Sequence, residues 1–231
     1  MKFYDRTKEI SALNDLTQQS RTEGRMSVIM GRRRIGKTEL ARRCGDEKAL
    51  YFFVARKTET LLCQDFAQEV EEKLGLPIGM PSSFIELFRF LLRYAQEHPI
   101  TVIIDEFQDF QKVNPSIFSE IQREWDLHKS NSKIHLIVSG SIFSLMKKIF
   151  EDANEPLFGR ANMKMALQPF STEVLKEILA DNNPHYTPED LLALFSVTGG
   201  VAWYVSLLMD NHCTTQEQML AYLTDTNSPF I

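Results

Sequence analysis

The chain has 231 residues, 43% hydrophobic and 25% charged, which is ordinary for a soluble globular protein and enough for one large domain or one and a half. A net charge of −5 argues against a surface built to coat nucleic acid, though a local basic patch stays compatible with it. No apolar run approaches the ~18 residues of a membrane span. The first residues turn charged at once, unlike a signal peptide. Cys44, Cys63 and Cys213 have no metal or redox spacing and read as buried thiols of a cytoplasmic protein.

In chain order, Ile10, Leu13 and Leu16 mark a short amphipathic helix over 7–19. An apolar strand over 26–30 leads into Gly31, Arg32, Arg33, Arg34, Ile35, Gly36, Lys37 and Thr38. These residues fill every fixed position of the phosphate-binding pattern G-x-x-x-x-G-K-[ST], and Glu39 opens a helical pattern after them. Strand, glycine-rich loop and helix are the order this chemistry needs. Glycines let successive N–H groups converge on an anion, and the helix adds its positive end. Lys37 is placed to reach the β- and γ-phosphates, and Thr38 to ligate Mg²⁺.

A strand over 50–55 follows, then a helix carrying Leu62, Phe66, Val70 and Leu74. Ser83 and Glu86 have capping-box spacing before a strongly apolar helix that ends at His98 and Pro99. Ile100–Glu106 is the clearest strand, and a helix through Ile117, Ile121 and Trp125 comes next. Residues 134–141 read as a further strand, and alternation over 162–167 as a last, edge-like one. Strands separated by helices predict βαβ units and a parallel sheet. From Phe170 only helices are predicted, over 171–180, 188–197, 201–210 and 216–224. The expected division is an α/β nucleotide domain over 1–168 and a small helical domain over 169–231.

A phosphate loop specifies binding; hydrolysis needs more. The strand ending at Asp105 and Glu106 supplies an acid for Mg²⁺ and a base for water, at the strand end where open α/β sheets bind ligands. Ser139 or Ser141 at the next strand end is a candidate sensor of the γ-phosphate or the attacking water. Arg160 is a candidate arginine finger, in cis or on a neighbouring subunit. Because such loops bind through backbone, the side chains of Arg32, Arg33 and Arg34 are expected in salt bridges or partner contacts. The five histidines have no metal-binding spacing.

These features resemble a known group. Phe3, Tyr4, Asp5, Arg6, Glu9 and Leu13, the phosphate loop, Val102–Gln108, Val138–Ser141, Leu157–Arg160 and Thr198–Tyr204 together are similar to the archaeal-type ATPases of the STAND class. These are P-loop ATPases related to AAA+ and origin-recognition ATPases and also occur in bacteria. The resemblance implies a sheet in which the Walker B strand is not adjacent to the phosphate-loop strand, followed by a helical lid. It implies that Phe3, Tyr4 and Arg6 lie beside adenine, that Arg160 is the family's arginine, and that Gly200 approaches the nucleotide. The chain departs from the pattern at Asp5, where a glycine is usual, and at Ala202, where a proline is.

The expected function is an ATP-hydrolysing switch using ATP/ADP and Mg²⁺, with an unknown protein partner or a homo-oligomer completing the site. The alternatives are a non-catalytic ADP/ATP-binding regulatory module and a DNA-associated ATPase. The acidic balance gives the latter no support.

Overall fold

The computed structural model describes residues 1–45, 47–226 and Ser228. In chain order the elements are α1 (Thr7–Gln19), β1 (Arg25–Met30), α2 (Lys37–Cys44), β2 (Leu50–Phe53), α3 (Glu59–Leu74), α4 (Phe84–Tyr94), β3 (Ile100–Asp105), α5 (Phe110–Val113), α6 (Ile117–His128), β4 (Ile134–Gly140), α7 (Phe143–Glu151) and β5 (Met163–Ala166). Helices α8 (Thr172–Asn182), α9 (Pro188–Thr198), α10 (Ala202–Asp210) and α11 (Gln216–Thr224) complete it. The chain divides into two compact units. One comprises 7–32 and 37–167; the other comprises 1–6, 33–36 and 168–231.

The larger unit is a five-stranded sheet in the order β2-β3-β4-β1-β5, with every strand pair parallel. The strand carrying Asp105 is therefore separated from the phosphate-loop strand by β4, as the resemblance implies, and β5 lies at the edge. Strands β3 and β4 are buried along their whole length, as expected of a parallel sheet covered on both faces. Alternate residues Val28, Phe52, Val102, Ile104, Leu136 and Val138 join Phe66, Phe84, Phe88 and Trp125 of α3, α4 and α6 in one apolar core. Helices α1 and α2 pack against β1, β3 and β4. His135 on β4 bridges Thr17 of α1 and Ser27 of β1 at 2.8 Å each, and burial pushes its ring down to about 4.

Local signals explain several boundaries. Gly75 closes α3 in a left-handed conformation, φ 67°. The Ser83 hydroxyl accepts from Glu86 N at the start of α4, but the Glu86 carboxylate turns to Ser82, so only half of the predicted capping box forms. Helix α7 is an element the sequence reading did not anticipate. Its signal is the buried set Met146, Ile149 and Phe150, spaced for one helical face.

The second unit has its own core of Tyr4, Phe170, Leu175, Ile178, Leu194, Val205, Leu208 and Met219. Thr187 and Asp190 form a complete capping box at α9, with Pro188 at its first position. Asp190 also accepts Gln216 N at 2.6 Å, tying α9 to the start of α11.

Candidate functional site

The phosphate loop leaves β1 at Met30 and enters α2 at Lys37. Arg34 (φ 67°) and Gly36 (φ 97°) are both left-handed, which curls the backbone as an anion-binding loop requires. Lys37 is 6% exposed, and its Nζ donates to the carbonyls of Gly31 (3.0 Å) and Arg32 (3.1 Å). Ile35 is buried, while Arg32 and Arg33 are exposed. Glu39 pairs with Arg43 at 2.8 Å. Of the salt bridge or partner contact expected of it, Arg34 forms no salt bridge among the described residues. Its guanidinium lies 3.8 Å from the Trp203 ring centroid and its carbonyl accepts Trp203 N at 3.1 Å, all within the helical unit. The aromatic pair Trp203 and Tyr204 at the start of α10 gives this planar cation a face to stack on.

Asp105 ends β3, 4% exposed. Both carboxylate oxygens are doubly occupied: Oδ2 accepts Thr38 Oγ1 (2.6 Å) and Tyr51 Oη (2.9 Å). Oδ1 accepts Ser139 Oγ (2.5 Å) and Glu106 N (2.9 Å). Strand register explains the grouping, since Ile104 faces Val138 and Ser139 faces Ile29. Strand β4 thus carries its end between the acids and the loop. Burial, and then the Asp105 charge, push the Tyr51 phenol well up, so it stays a donor. Arg42 covers its ring at 4.4 Å.

Glu106 turns the chain out of β3 in a left-handed conformation (φ 54°, ψ 40°), a strained choice for a residue with a side chain. Its Oε2 accepts Gln108 Nε2 (2.6 Å) and Ser141 Oγ (2.7 Å). Of the two candidate sensor serines, Ser139 is fully buried on Asp105, and Ser141 is the one that reaches Glu106. Tyr51 and Gln108 escaped the sequence reading. Gln108 follows the acid pair directly, whereas Tyr51 is 54 positions from Asp105 and only strand pairing brings them together.

The remaining candidates have other neighbours. Arg160 pairs with Asp126 at 2.9 Å and donates to the Phe158 carbonyl at 2.8 Å. In the helical unit, Tyr4 is a core residue whose hydroxyl donates to Asp181 at 2.8 Å. Phe3 is half-buried. Arg6 donates to the Gln168 carbonyl at 2.5 Å and lies 5.4 Å from the Phe170 ring centroid. Asp5 is left-handed (φ 58°), which is why glycine suits that position; aspartate is one of the few residues that tolerate it. Gly200 (φ 70°) lies so close to Phe170 that a Cβ would overlap its carbonyl oxygen.

Among the described residues no three His, Cys, Asp or Glu side chains cluster to hold a metal. Thr38 and Asp105 instead present hard oxygen donors side by side. That partial set suits Mg²⁺, which is bound through one or two protein oxygens plus substrate phosphates and water rather than by a full protein cage.

Residues 3–208 match the family described as "ATPase domain predominantly from Archaea". An uncharacterized protein of Methanocaldococcus jannaschii is 30% identical over 204 residues, covering 88% of this chain and 43% of that protein. The chain thus spans less than half the length of this curated relative. Among solved structures, a Walker-type ATPase of Pyrococcus abyssi superposes with a TM-score of 0.67 at 18% identity, covering 95% of this chain and 72% of that one. The Aeropyrum pernix ORC1 protein, solved in complex with DNA, gives 0.66 at 15% identity, covering 95% and 65%. A STAND protein with a tetratricopeptide-repeat sensor from Pyrococcus horikoshii gives 0.58 at 19% identity, covering 90% and 30%. These likenesses show a shared P-loop fold, and the family match is specific: the chain belongs to the ATPase domain family found predominantly in Archaea.

Proposed function

We propose that the chain binds ATP with Mg²⁺ and hydrolyses it as a molecular switch. The observation that carries this reading is the 2.6 Å hydrogen bond from Thr38 to Asp105, with a carboxylate at the next residue. In this reading the backbone N–H groups of 31–38 hold the β- and γ-phosphates and Lys37 adds its charge to them. Thr38 and Asp105 hold Mg²⁺, which neutralises charge on the transferring phosphoryl group. Glu106 orients the attacking water and takes its proton. The helices over 169–231 act as the lid whose position reports the nucleotide state, and Arg160, exchanging Asp126 for a phosphoryl group, completes the site when a partner or second copy binds. Phe3, Tyr4, Arg6 and Gly200 are proposed at the base and lid side of the nucleotide through the family likeness alone. The proposed setting is cytoplasmic.

A net charge of −5 favours this switch over a role on DNA. The test is phosphate release from ATP by the purified chain. It should require Mg²⁺, stop with EDTA, and vanish together with ATP affinity in Lys37→Ala. Hydrolysis that persists unchanged in Lys37→Ala rejects the reading.

A further inference from the structure

One polar side chain beside the acid pair has no part in that reading. Gln108 lies in the single 3₁₀ turn Phe107–Asp109 after β3 and is 1% exposed. Its Nε2 donates to Glu106 Oε2 at 2.6 Å. A carboxylate offers only acceptors, so the amide nitrogen must face it. That orientation leaves Gln108 Oε1 buried with no hydrogen-bond partner. Methionine or leucine would fill the same volume without stranding a carbonyl oxygen, so packing does not account for an amide here.

The surroundings are shaped to admit it. At Gly140, the end of β4, a Cβ would overlap Gln108 Oε1 and the Met146 side chain. Ser141, the next residue, gives the same Glu106 oxygen a second donor at 2.7 Å. Both hydrogen bonds fall on Oε2, and among the described residues none reaches Oε1.

We propose that Gln108 is a positioning residue that locks the Glu106 carboxylate so that Oε1 is the oxygen that receives the proton of the attacking water. The proposal rests on Glu106 being the base. Two donors on one oxygen stop rotation about Cγ–Cδ and reserve the other oxygen for water. As the water proton passes to Oε1, the water oxygen bonds to the γ-phosphorus. The bond from that phosphorus to the β,γ-bridging oxygen breaks, and ADP leaves with the electron pair. The proton then passes from Glu106 to solvent.

The experiment compares the parent chain with Gln108→Met, Gln108→Glu and Glu106→Gln. In Gln108→Met, kcat should fall about 10–100-fold, the scale of a misaligned catalytic group, with ATP affinity unchanged. The same split should appear in Gln108→Glu, which loses the amide donor and sets a like charge beside the carboxylate. Gln108→Met should melt at or above the parent temperature, because the stranded carbonyl is gone; a residue that only packs would lower it and give no such split between kcat and affinity. An unchanged kcat in Gln108→Met, with Glu106→Gln inactive, overturns this proposal and leaves Glu106 as base. Parent-like turnover in Glu106→Gln overturns the underlying reading itself.

Discussion

Thr38 donates its hydroxyl to Asp105 Oδ2 across 2.6 Å although the two residues are 67 positions apart in the chain. The contact depends on β4 lying between β1 and β3, which carries the first turn of α2 and the end of β3 to the same edge of the sheet. It joins the phosphate loop to the acid pair, and it makes Asp105 a structural centre as well as a candidate metal ligand.

Asp105→Ala should therefore cost stability as well as function. It removes the acceptor for Thr38, Tyr51, Ser139 and Glu106 N, and stranded buried donors of this kind cost about 1–3 kcal/mol each when no water replaces the acceptor. With partial rescue by water, a loss of about 2–4 kcal/mol corresponds to a Tm lower by roughly 5–15 °C for a chain of this size. Circular-dichroism melts check it, and a melt unchanged to within 2 °C contradicts it.

Acid should weaken the larger unit in two windows. His135 is held neutral down to about 4 by burial. Because the unfolded ring binds its proton near 6.5, stability is full above that pH and falls as pH drops from ~6.5 to ~4, by up to about 3 kcal/mol. Glu124 is held down to about 2, first by its hydrogen bonds to Arg89 and then by Arg123. Its contribution is present above ~4.5 and is lost as pH falls toward 2, at about 1 kcal/mol because solvent screens the exposed arginines. Urea unfolding across pH should show His135→Gln flattening only the upper window and Glu124→Gln only the lower. Parallel slopes in all three proteins contradict this.

Gly200→Ala should destabilise the helical unit. A left-handed φ costs a residue with a Cβ about 1–2 kcal/mol, and overlap with the Phe170 carbonyl adds to it. The Phe170 N–H donates to the Gly200 carbonyl at 2.8 Å, so the strands of backbone cannot simply part. A urea midpoint within error of the parent contradicts this steric account.

Arg34→Gly isolates the guanidinium, since glycine accepts φ 67° without strain. Loss of the stack on Trp203 should cost about 0.5–1 kcal/mol, the range for exposed cation–π pairs. Trp203 emission, taken as the difference between parent and Trp203→Phe spectra, should shift to the red. An unchanged difference spectrum contradicts the stack.

The fold was legible where local chemistry is strong. Parallel strands buried on both faces leave continuous apolar runs, and β1 to β4 lie where those runs do, while the edge strand β5 lies where the sequence alternates; the phosphate loop and the Asp105–Glu106 pair each carry a fixed local pattern. Helix α7 went unread because its apolar residues, Phe143, Met146, Ile149 and Phe150, follow a strand and a turn closely. Tyr51 and Ser141 meet the acid pair through strand order and register, which depend on pairings between distant segments, whereas Gln108 is local to it, in the turn after β3. Arg34 shows the same limit in reverse: the loop motif fixed its position, but the partner of its side chain lies 169 positions on, at Trp203.

The central claim is that Glu106 activates water on a nucleotide held by the phosphate loop. Glu106→Gln keeps the side chain's shape and removes its basicity, so one protein can test binding and chemistry together. Single-turnover hydrolysis of γ-labelled ATP, at enzyme in excess and with affinity measured in parallel, should show parent-like binding and a cleavage rate lower by at least about 100-fold. Cleavage at the parent rate in a variant that binds normally would contradict the account.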